Sequence, residues 1–297
     1  MQTPQIKICS PPGALLGESP LWVAAQNTVY WVDILGYKIH QYCLTEQSNH
    51  VTELDEAIYW LQLADKSCFI AALKSGIWLL DQTFNKIKQL HPQLEKNNMR
   101  FNDAKVDSDG KLWFGTMDNN EQAASGQLFC LNKGKLTLED DGYLVTNGPA
   151  FSNQKNWLYH NDTANKKVYR FKLNANSQLT DKSVFIDFEQ YSGFPDGLTV
   201  DQNDEIWIAH WQGQGVSRFS KSGKQRQFIK LPAMCITSLT FAGANLDRLF
   251  ATSAAIKDDS KFAGCLFEIL INPSEQKEAP KQCQQIKGNS PNIYISD

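Results

Sequence analysis

The sequence predicts an all-β fold: a six-bladed β-propeller with four-stranded antiparallel blades. Three observations predict it. A hairpin pattern recurs six times along the 297 residues, no long segment keeps a helical period, and a polar residue recurs at one point of the repeat. A repeat of about 40 to 50 residues with three or four strands per copy is typical of a propeller blade. We expect residues 1–297 to form one such domain.

Each repeat contains two strand-like runs joined by a turn. The runs are rich in aromatic and β-branched residues, and Gly, Asn and Asp separate them, which is the composition of antiparallel strands and their turns. In chain order the hairpins begin near Val29, Cys68, Lys111, Asn156, Glu205 and Arg248. Six consecutive hairpins therefore predict six blades.

A polar residue opens five of the six repeats. These residues lie eleven or twelve positions before an aromatic residue of the first hairpin strand, and they are Glu18, Asn102, Asn147, Asp196 and Ser238. The second repeat departs from this series, because apolar residues occupy the equivalent point near residues 57–59. A β-sandwich also has many short strands, but it gives no reason for a polar residue to recur in register, so the propeller is favoured.

Propeller topology should bring the opening residues together. The first strand of each blade lines the central channel, so the starts of all first strands lie on one face around the axis. The second strands end at the same face, which adds the loops at residues 33–36, 117–121, 161–162 and 210–211 as walls. We therefore expect one pocket at one end of the channel.

The opening residues point to a metal. Glu18 and Asp196, with one or two amides, make an oxygen-rich site for a hard divalent cation. The alternative is that these residues cap strand starts and bind channel water. Arg100 precedes Asn102 and either donates to substrate oxygens or is an exposed loop arginine. Glu121 follows a second strand and either reaches the pocket mouth or is solvated.

Composition excludes several classes of partner. A net charge of -3 gives no electrostatic attraction to nucleic acid or an anionic membrane, so we expect a small-molecule partner. The amino terminus lacks a signal-peptide core, and no apolar stretch approaches the roughly 20 residues of a membrane span. The seven cysteines form no Cys-x-x-Cys pair and are predicted to be mostly buried thiols of a reducing compartment. We expect a cytoplasmic protein.

Some motifs have simpler interpretations. Residues 107–110 resemble the start of a calcium-binding EF-hand loop but lack its remaining ligands, so they are predicted to form a turn, as are residues 201–204. His160 and His210 end second strands in different registers and are predicted to be hydrogen-bonded residues, or residues that support the site from behind its lining, rather than bases. No Gly-x-Ser-x-Gly elbow, Walker loop or His-Glu-x-x-His pair is present.

Six short segments follow one another at propeller spacing. They are GESPLW from Gly17, RFND from Arg100, GTMD from Gly115, NGPAFS from Asn147, PDGL from Pro195 and IWIAHW from Ile206. Together they resemble the family of regucalcin (senescence marker protein), gluconolactonase and luciferin-regenerating enzyme. Each segment is short, but their order and spacing make the resemblance specific.

The resemblance implies a site as well as a fold. It implies one divalent metal on the axis, either calcium, magnesium, manganese or zinc, held by Glu18, Asn147 and Asp196. It further implies that Arg100 and Asn102 contact the substrate and that Asp196 is the proton-transferring carboxylate. The implied activity is hydrolysis of aldonic-acid lactones.

Two positions depart from the family pattern. Ala104 replaces the glycine that usually follows Phe-Asn-Asp. The family's substrate-contacting glutamate falls without a gap on Asn120, while Glu121 is the next residue. The assignment of Glu121 to the substrate therefore depends on how this loop is placed.

We expect a metal-dependent hydrolase that opens sugar lactones such as gluconolactone to the aldonic acid. Two alternatives are a non-catalytic propeller that binds calcium or another divalent metal for regulation, and a phosphotriesterase-like propeller hydrolase. Arg100 and Asn102 suit hydroxyl-rich ligands and so favour a sugar over a phosphotriester.

Overall fold

Six small antiparallel sheets make up the computed structural model, which describes residues 4–93, 98–174, 178–271 and 286–296. Five of the sheets have four strands, and the sixth has four antiparallel strands plus one short parallel strand. Successive inner strands pack against one another around a ring, with contacts between the first and last blades. The predicted six-bladed β-propeller is therefore confirmed.

The strands follow the predicted hairpins. The first three blades comprise β2 (Gly17–Val23), β3 (Thr28–Asp33), β4 (Lys38–Cys43), β5 (Ser48–Glu53), β6 (Ile58–Ala64), β7 (Phe69–Leu73), β8 (Gly76–Leu80), β9 (Lys86–Pro92), β10 (Met99–Val106), β11 (Leu112–Asp118), β12 (Gly126–Asn132) and β13 (Lys135–Tyr143). The last three comprise β14 (Thr146–Phe151), β15 (Trp157–Asp162), β16 (Lys167–Leu173), β17 (Leu179–Asp187), β18 (Phe194–Val200), β19 (Ile206–Trp211), β20 (Gly215–Phe219), β21 (Gln225–Lys230), β22 (Ile236–Ala242), β23 (Arg248–Ser253), β24 (Phe267–Leu270) and β1 (Gln5–Ile8). Two 3₁₀ turns, Ala24–Gln26 and Phe188–Gln190, interrupt the loops.

The amino-terminal strand closes the ring. β1 pairs antiparallel with β24 and becomes the outer strand of the sixth blade. The sixth blade therefore combines the amino-terminal strand with β22, β23 and β24, which closes the ring through backbone hydrogen bonds.

Burial decreases from the axis to the rim. The inner strands β2 and β22 are buried at every residue, whereas the outer strand β5 has no buried residue. Large aromatic residues fill the spaces between blades, and Trp60, Trp113 and Trp207 are fully buried. The main core cluster packs the first three blades together. These buried surfaces supply the dominant stabilising term of such a fold.

Residues 107–110 and 201–204 form turns, as predicted. Asp107 Oδ1 accepts hydrogen bonds from the backbone of Asp109 and Lys111, and its Oδ2 accepts one from Trp113 Nε1 at 2.8 Å. Asp201 repeats this arrangement, with Trp207 Nε1 3.1 Å from its Oδ2. Both carboxylates therefore hold a turn and an inter-blade tryptophan.

The carboxyl-terminal segment crosses the end of the channel away from the opening residues. Its strand β25 (Ile293–Tyr294) pairs parallel with the last residues of β6. Gly288 bridges to Asp201 in the fifth blade, and Asn292 Nδ2 donates to Val106 O in the third at 2.9 Å.

The cysteines in the described ranges are free thiols. Four of these six are buried, as predicted, and Cys283 lies outside the described residues. Over the same ranges, no helix has the length and apolar character needed to cross a membrane.

Candidate functional site

One cavity gathers the predicted site residues. It has a volume of about 110 Å³ and lies where the inner strands begin, at one end of the channel. All six predicted site residues line it, namely Glu18, Arg100, Asn102, Glu121, Asn147 and Asp196. Ser238, in the equivalent register of the sixth blade, is not among the lining residues.

A β-bulge marks the same level of every inner strand. The pairing register shifts between Phe101 and Ala104 in β10 and between Pro195 and Leu198 in β18, which places Asn102 and Asp196 inside the bulges. In β2 and β14 the shift begins directly after Glu18 and Asn147. Bulges re-aim side chains and are over-represented next to functional sites. The repeat position that carries the polar residues in the sequence is thus also the position at which the inner strands carry a β-bulge.

Hydrogen bonds fix the orientation of the Asn147 amide. Its Nδ2 donates to Thr163 Oγ1 at 2.8 Å, and its Oδ1 accepts from Asn102 Nδ2 at 3.1 Å. Thr163 in turn donates to Pro195 O. Because a carbonyl oxygen has two lone pairs, Asn147 Oδ1 retains one acceptor site.

The Asn102 amide is used differently. Its Nδ2 donates to both Asn147 Oδ1 and Thr146 O, so both amide hydrogens are already bonded. Only its Oδ1 is left to meet a ligand, and that atom accepts. Asn102 is therefore suited to a ligand that donates a hydroxyl hydrogen.

Asp196 is held by its backbone and keeps one carboxylate oxygen unpaired. Asn161 Nδ2 donates to Asp196 O. Asp196 Oδ1 is buried and has no hydrogen-bond partner in the described part of the chain. The next residue is Gly197, where an added Cβ would lie 2.2 Å from Ser238 Oγ, so the Pro-Asp-Gly motif needs glycine for this close approach.

Three buried carboxylates repel one another in this region. Burial and the neighbouring Asp103 raise the pKa of Glu18 to about 8. Burial, Glu18 and Asp103 together raise the pKa of Asp196 well above its ordinary value. Each group would keep its charge at lower pH if a cation shared the site.

Asp103 is a residue that the sequence analysis did not single out. It is 6% exposed, and its carboxylate accepts from Ala104 N at 2.7 Å and from Gly148 N at 2.9 Å. It therefore ties the bulge of β10 to the residue next to Asn147. The only sequence signal was its place inside the Arg-Phe-Asn-Asp segment.

The apolar second repeat supports Arg100. The Arg100 guanidinium lies 5.8 Å from the Tyr59 ring centroid, and its Nη1 donates to Phe101 O at 3.1 Å. A guanidinium carries five N–H donors, so others are free to face the cavity. The break in the polar series thus provides the aromatic surface that positions the arginine.

The loop after β11 presents Glu121 rather than Asn120. Glu121 adopts a left-handed backbone conformation with φ of 56°, and its N–H donates to Asp118 O at 3.0 Å. The Asp118 carboxylate accepts from the backbone of Gln122 and Ala123. This turn places Glu121 at the cavity wall, where Asn120 does not appear.

The predicted walls are partly correct. Ile34, Glu121 and Trp211 line the cavity, whereas the loop at residues 161–162 does not, because Asn161 lies beneath it against Asp196. Sequence reasoning missed Leu16, Ile256 and Lys257, which also line it.

The two histidines differ. His210 is hydrogen-bonded as predicted, with Nδ1 2.7 Å from Ser192 O and Nε2 2.8 Å from Ser217 Oγ. The hydrogen-bonded interpretation was wrong for His160, whose ring nitrogens have no partner among the described residues. His160 instead packs in a T-shaped arrangement with Tyr143, with 4.8 Å between the ring centroids.

The residues at the cavity fit a divalent cation. Glu18 and Asp196 supply carboxylates, Asn147 supplies an oriented carbonyl oxygen, and Asp196 Oδ1 has no hydrogen-bond partner within the described ranges. The described residues contain no group of three or more His, Cys, Asp or Glu side chains that would hold a metal by themselves. An amide oxygen and water or substrate would therefore have to complete the ligand set, which is usual for hard cations.

The fold and the cavity define the class: a six-bladed propeller whose axial cavity gathers carboxylates, amides and an arginine. A family profile described as SMP-30/Gluconolactonase/LRE-like region matches residues 16–255. The chain therefore belongs to the SMP-30/gluconolactonase/LRE-like family.

Individual proteins show the same likeness. The 6-deoxy-6-sulfogluconolactonase of Pseudomonas putida is 32% identical over 272 residues, covering 87% of this chain and 92% of that protein. Pentonolactonase XacC of Haloferax volcanii is 27% identical over 275 residues, covering 89% and 93%. The crystal structure of a calcium-binding protein, regucalcin, from Agrobacterium tumefaciens superposes with a TM-score of 0.87 at 25% identity, over 99% of each chain.

Proposed function

We propose that the protein is a metal-dependent lactonase that opens sugar lactones, gluconolactone among them, to aldonic acids. The observation that carries this proposal is the cavity in which Glu18, Asn147 and Asp196 lie with Arg100 and Asn102. Family membership and the lactonase names of two relatives support the reaction class.

Glu18, Asn147 and Asp196 would hold the cation. When bound, a divalent ion supplies Lewis-acid polarisation of a carbonyl group and stabilises developing negative charge. The calcium-binding description of the regucalcin neighbour supports a metal of this kind and does not select among calcium, magnesium, manganese and zinc.

Asp196 moves the proton. A water molecule attacks the lactone carbonyl carbon, and Asp196 accepts a proton from that water. The bond from the carbonyl carbon to the ring oxygen then breaks, and Asp196 returns a proton to that oxygen. The Asp196 carboxylate supports this role, because its Oδ1 is buried without a hydrogen-bond partner among the described residues.

Arg100, Asn102 and Glu121 orient the sugar. Asn102 and Glu121 offer acceptor oxygens to substrate hydroxyls, while Arg100 offers donors to substrate oxygens. A phosphotriester carries no hydroxyl to donate to Asn102. Both amide hydrogens of Asn102 are already bonded within the protein, so Asn102 can only accept from a substrate. This favours a sugar lactone over a phosphotriester as the substrate.

A panel assay tests the proposal. Chelator-stripped protein would be given aldonolactones and one phosphotriester, with each metal restored singly, and acid release would be followed with a pH indicator. We expect metal-dependent hydrolysis of at least one aldonolactone. Metal binding without hydrolysis of any substrate would instead identify a regulatory, non-catalytic propeller, and hydrolysis of the phosphotriester alone would identify the other enzyme class.

A further inference from the structure

A second cavity lies at the opposite end of the channel. It has a volume of about 360 Å³, within the range of roughly 300 to 1,000 Å³ typical of small-molecule sites. Residues further along all six inner strands line it, namely Leu21, Gln62, Lys105, Ala150, Thr199 and Thr240. Lys105 follows Asn102 by three positions, so about 10 Å of strand separates the two cavities.

The lining of this second cavity is polar and positive. It includes Lys105 and Lys155, and no carboxylate residue lines it in the part of the chain that the structure describes. Hydroxyl and amide groups make up most of the remaining polar surface, from Gln62, Ser152, Asn153, Thr199, Thr240 and Asn289. The second cavity therefore differs in charge from the first, which contains three acidic residues.

Lys105 is the central cation of this cavity. It is half-buried, and no hydrogen bond or ion pair joins its ammonium to another described residue. Asp103 lies close enough to act on it electrostatically, but that carboxylate accepts two backbone N–H groups. The three donors of the Lys105 ammonium thus remain available.

Lys155 lies at the solvent side of the cavity. It forms an ion pair with Asp109 at 2.6 Å, and about half of each side chain is exposed. Exposed ion pairs contribute little, so Lys155 can turn to a ligand at small cost.

The carboxyl-terminal segment forms the floor of the cavity and is itself firmly placed. Asn289 Nδ2 donates to Val200 O at 3.1 Å and to Asn153 Oδ1 at 2.7 Å. Asn292 Nδ2 donates to Val106 O. These bonds fix the floor to blades three, four and five, so the cavity walls are held from several sides.

We propose that this second cavity binds a small hydroxylated oxyanion, a carboxylate or phosphate no larger than a monosaccharide acid. Lys105 and Lys155 would hold the anionic group, and the surrounding amides and hydroxyls would hold its hydroxyl groups. The site is separate from the proposed lactonase centre and does not depend on that activity.

Calorimetry and thermal unfolding of the full chain test this proposal, with gluconate, inorganic phosphate and neutral sorbitol as probes. We expect gluconate and phosphate to bind saturably and to raise the melting temperature, with sorbitol inert. Lys105→Gln should weaken anion binding by about tenfold or more, the loss expected for a charged hydrogen bond. Lys155→Gln, at an exposed position that tolerates substitution, should weaken it by a smaller factor.

Two control variants separate the cavities. Lys257→Gln removes one lysine charge from the first cavity, and Asp196→Asn changes its carboxylate set; both should keep anion binding at the second cavity. The proposal is overturned if neither anion binds saturably to the wild-type chain. It is also overturned if binding survives in both Lys105→Gln and Lys155→Gln but is lost in Lys257→Gln or Asp196→Asn.

Discussion

At the scale of single residues, hydrogen bonding decides what each site group can offer. Asn102 donates both amide hydrogens, to Thr146 O and Asn147 Oδ1, so only its Oδ1 is left to accept from a ligand. Asn147 is locked by Thr163 and presents a carbonyl oxygen. Asp196 keeps a buried carboxylate oxygen that has no hydrogen-bond partner among the described residues. The three neighbouring polar groups therefore have three different chemical roles.

Removing the charge of Asp196 should stop turnover. We expect Asp196→Asn to lower kcat for an aldonolactone by about 10²–10⁴-fold or more, the usual contribution of a positioned acid-base group. Steady-state kinetics would measure this, with circular dichroism to establish folding. Asp181→Asn, an exposed change in the fourth blade, is the control and should leave kcat unaltered. Near-normal turnover in a folded, metal-loaded Asp196→Asn chain would refute the proton-transfer role.

Removing the acceptor of Asn102 should change specificity. We expect Asn102→Ala to reduce kcat/KM for gluconolactone about tenfold more than for an unsubstituted lactone, because only the sugar donates a hydroxyl hydrogen. The ratio of the two kcat/KM values is the measurement. Loss of the hydrogen bond to Asn147 would lower both values equally and so would leave the ratio unchanged. Ser238→Ala, at the equivalent register outside the cavity, should leave the ratio unchanged. An equal loss on both substrates would contradict the assigned contact.

At the scale of elements, the inner strands have a β-bulge at one end and, in two blades, an aspartate turn beyond the other end. In the first, third, fourth and fifth blades, a bulge at the start of the inner strand accompanies a polar side chain that lines the first cavity. In the third and fifth blades, an aspartate turn beyond the inner strand holds a buried tryptophan. The bulges shape the candidate site, and the aspartate turns stabilise the fold.

Loss of a turn aspartate should destabilise the protein. Asp107→Ala removes three hydrogen bonds and leaves the buried Trp113 N–H without its partner. We expect the free energy of unfolding to fall by about 2–4 kcal/mol. Denaturant titration would measure it beside Ser108→Ala, an exposed change in the same turn that should alter stability by less than about 0.5 kcal/mol. An Asp107→Ala variant with the wild-type free energy of unfolding would show that the turn does not need the Asp107 side chain.

At the scale of the whole molecule, the fold should be sensitive to acid because buried histidines must stay neutral. Burial lowers the pKa of His160 to about 3 and that of His210 to about 4, from an ordinary value of 6.5. At these two histidines, the unfolded chain therefore binds more protons than the folded chain below about pH 6.5. Their neutral state supports stability above that pH, and the support is lost as pH falls toward the folded pKa values.

Replacing His160 should flatten this acid dependence. We expect His160→Leu to reduce the slope of unfolding free energy against pH between about 4.5 and 6 by up to about 1.4 kcal/mol per pH unit. Denaturant titrations at four pH values would measure the slope. The exposed His50 gives the matched control, and His50→Gln should keep the wild-type slope. An unchanged slope in His160→Leu would assign the acid sensitivity to other groups.

Much of the whole-molecule plan follows from the sequence, because six repeats impose one register. That register by itself predicts that Glu18, Asn147 and Asp196 converge, and the three residues line one cavity. It could not find the bulges, the contribution of Asp103, or Ile256 and Lys257, because backbone irregularities and loops between blades follow no period. Nor did it place the carboxyl-terminal segment across the channel. The single-domain assignment and the cytoplasmic location stay predictions.

The most direct test of the central claim is a joint titration of metal binding and lactonase activity. Chelator-stripped wild-type protein would receive one divalent metal in steps, with bound metal measured by calorimetry and aldonolactone hydrolysis measured at each step. The account predicts that activity rises with occupancy and saturates at one metal per chain, and that Asp196→Asn shows no such rise. Full activity in the stripped protein, or saturation with metal without any hydrolysis, would contradict it.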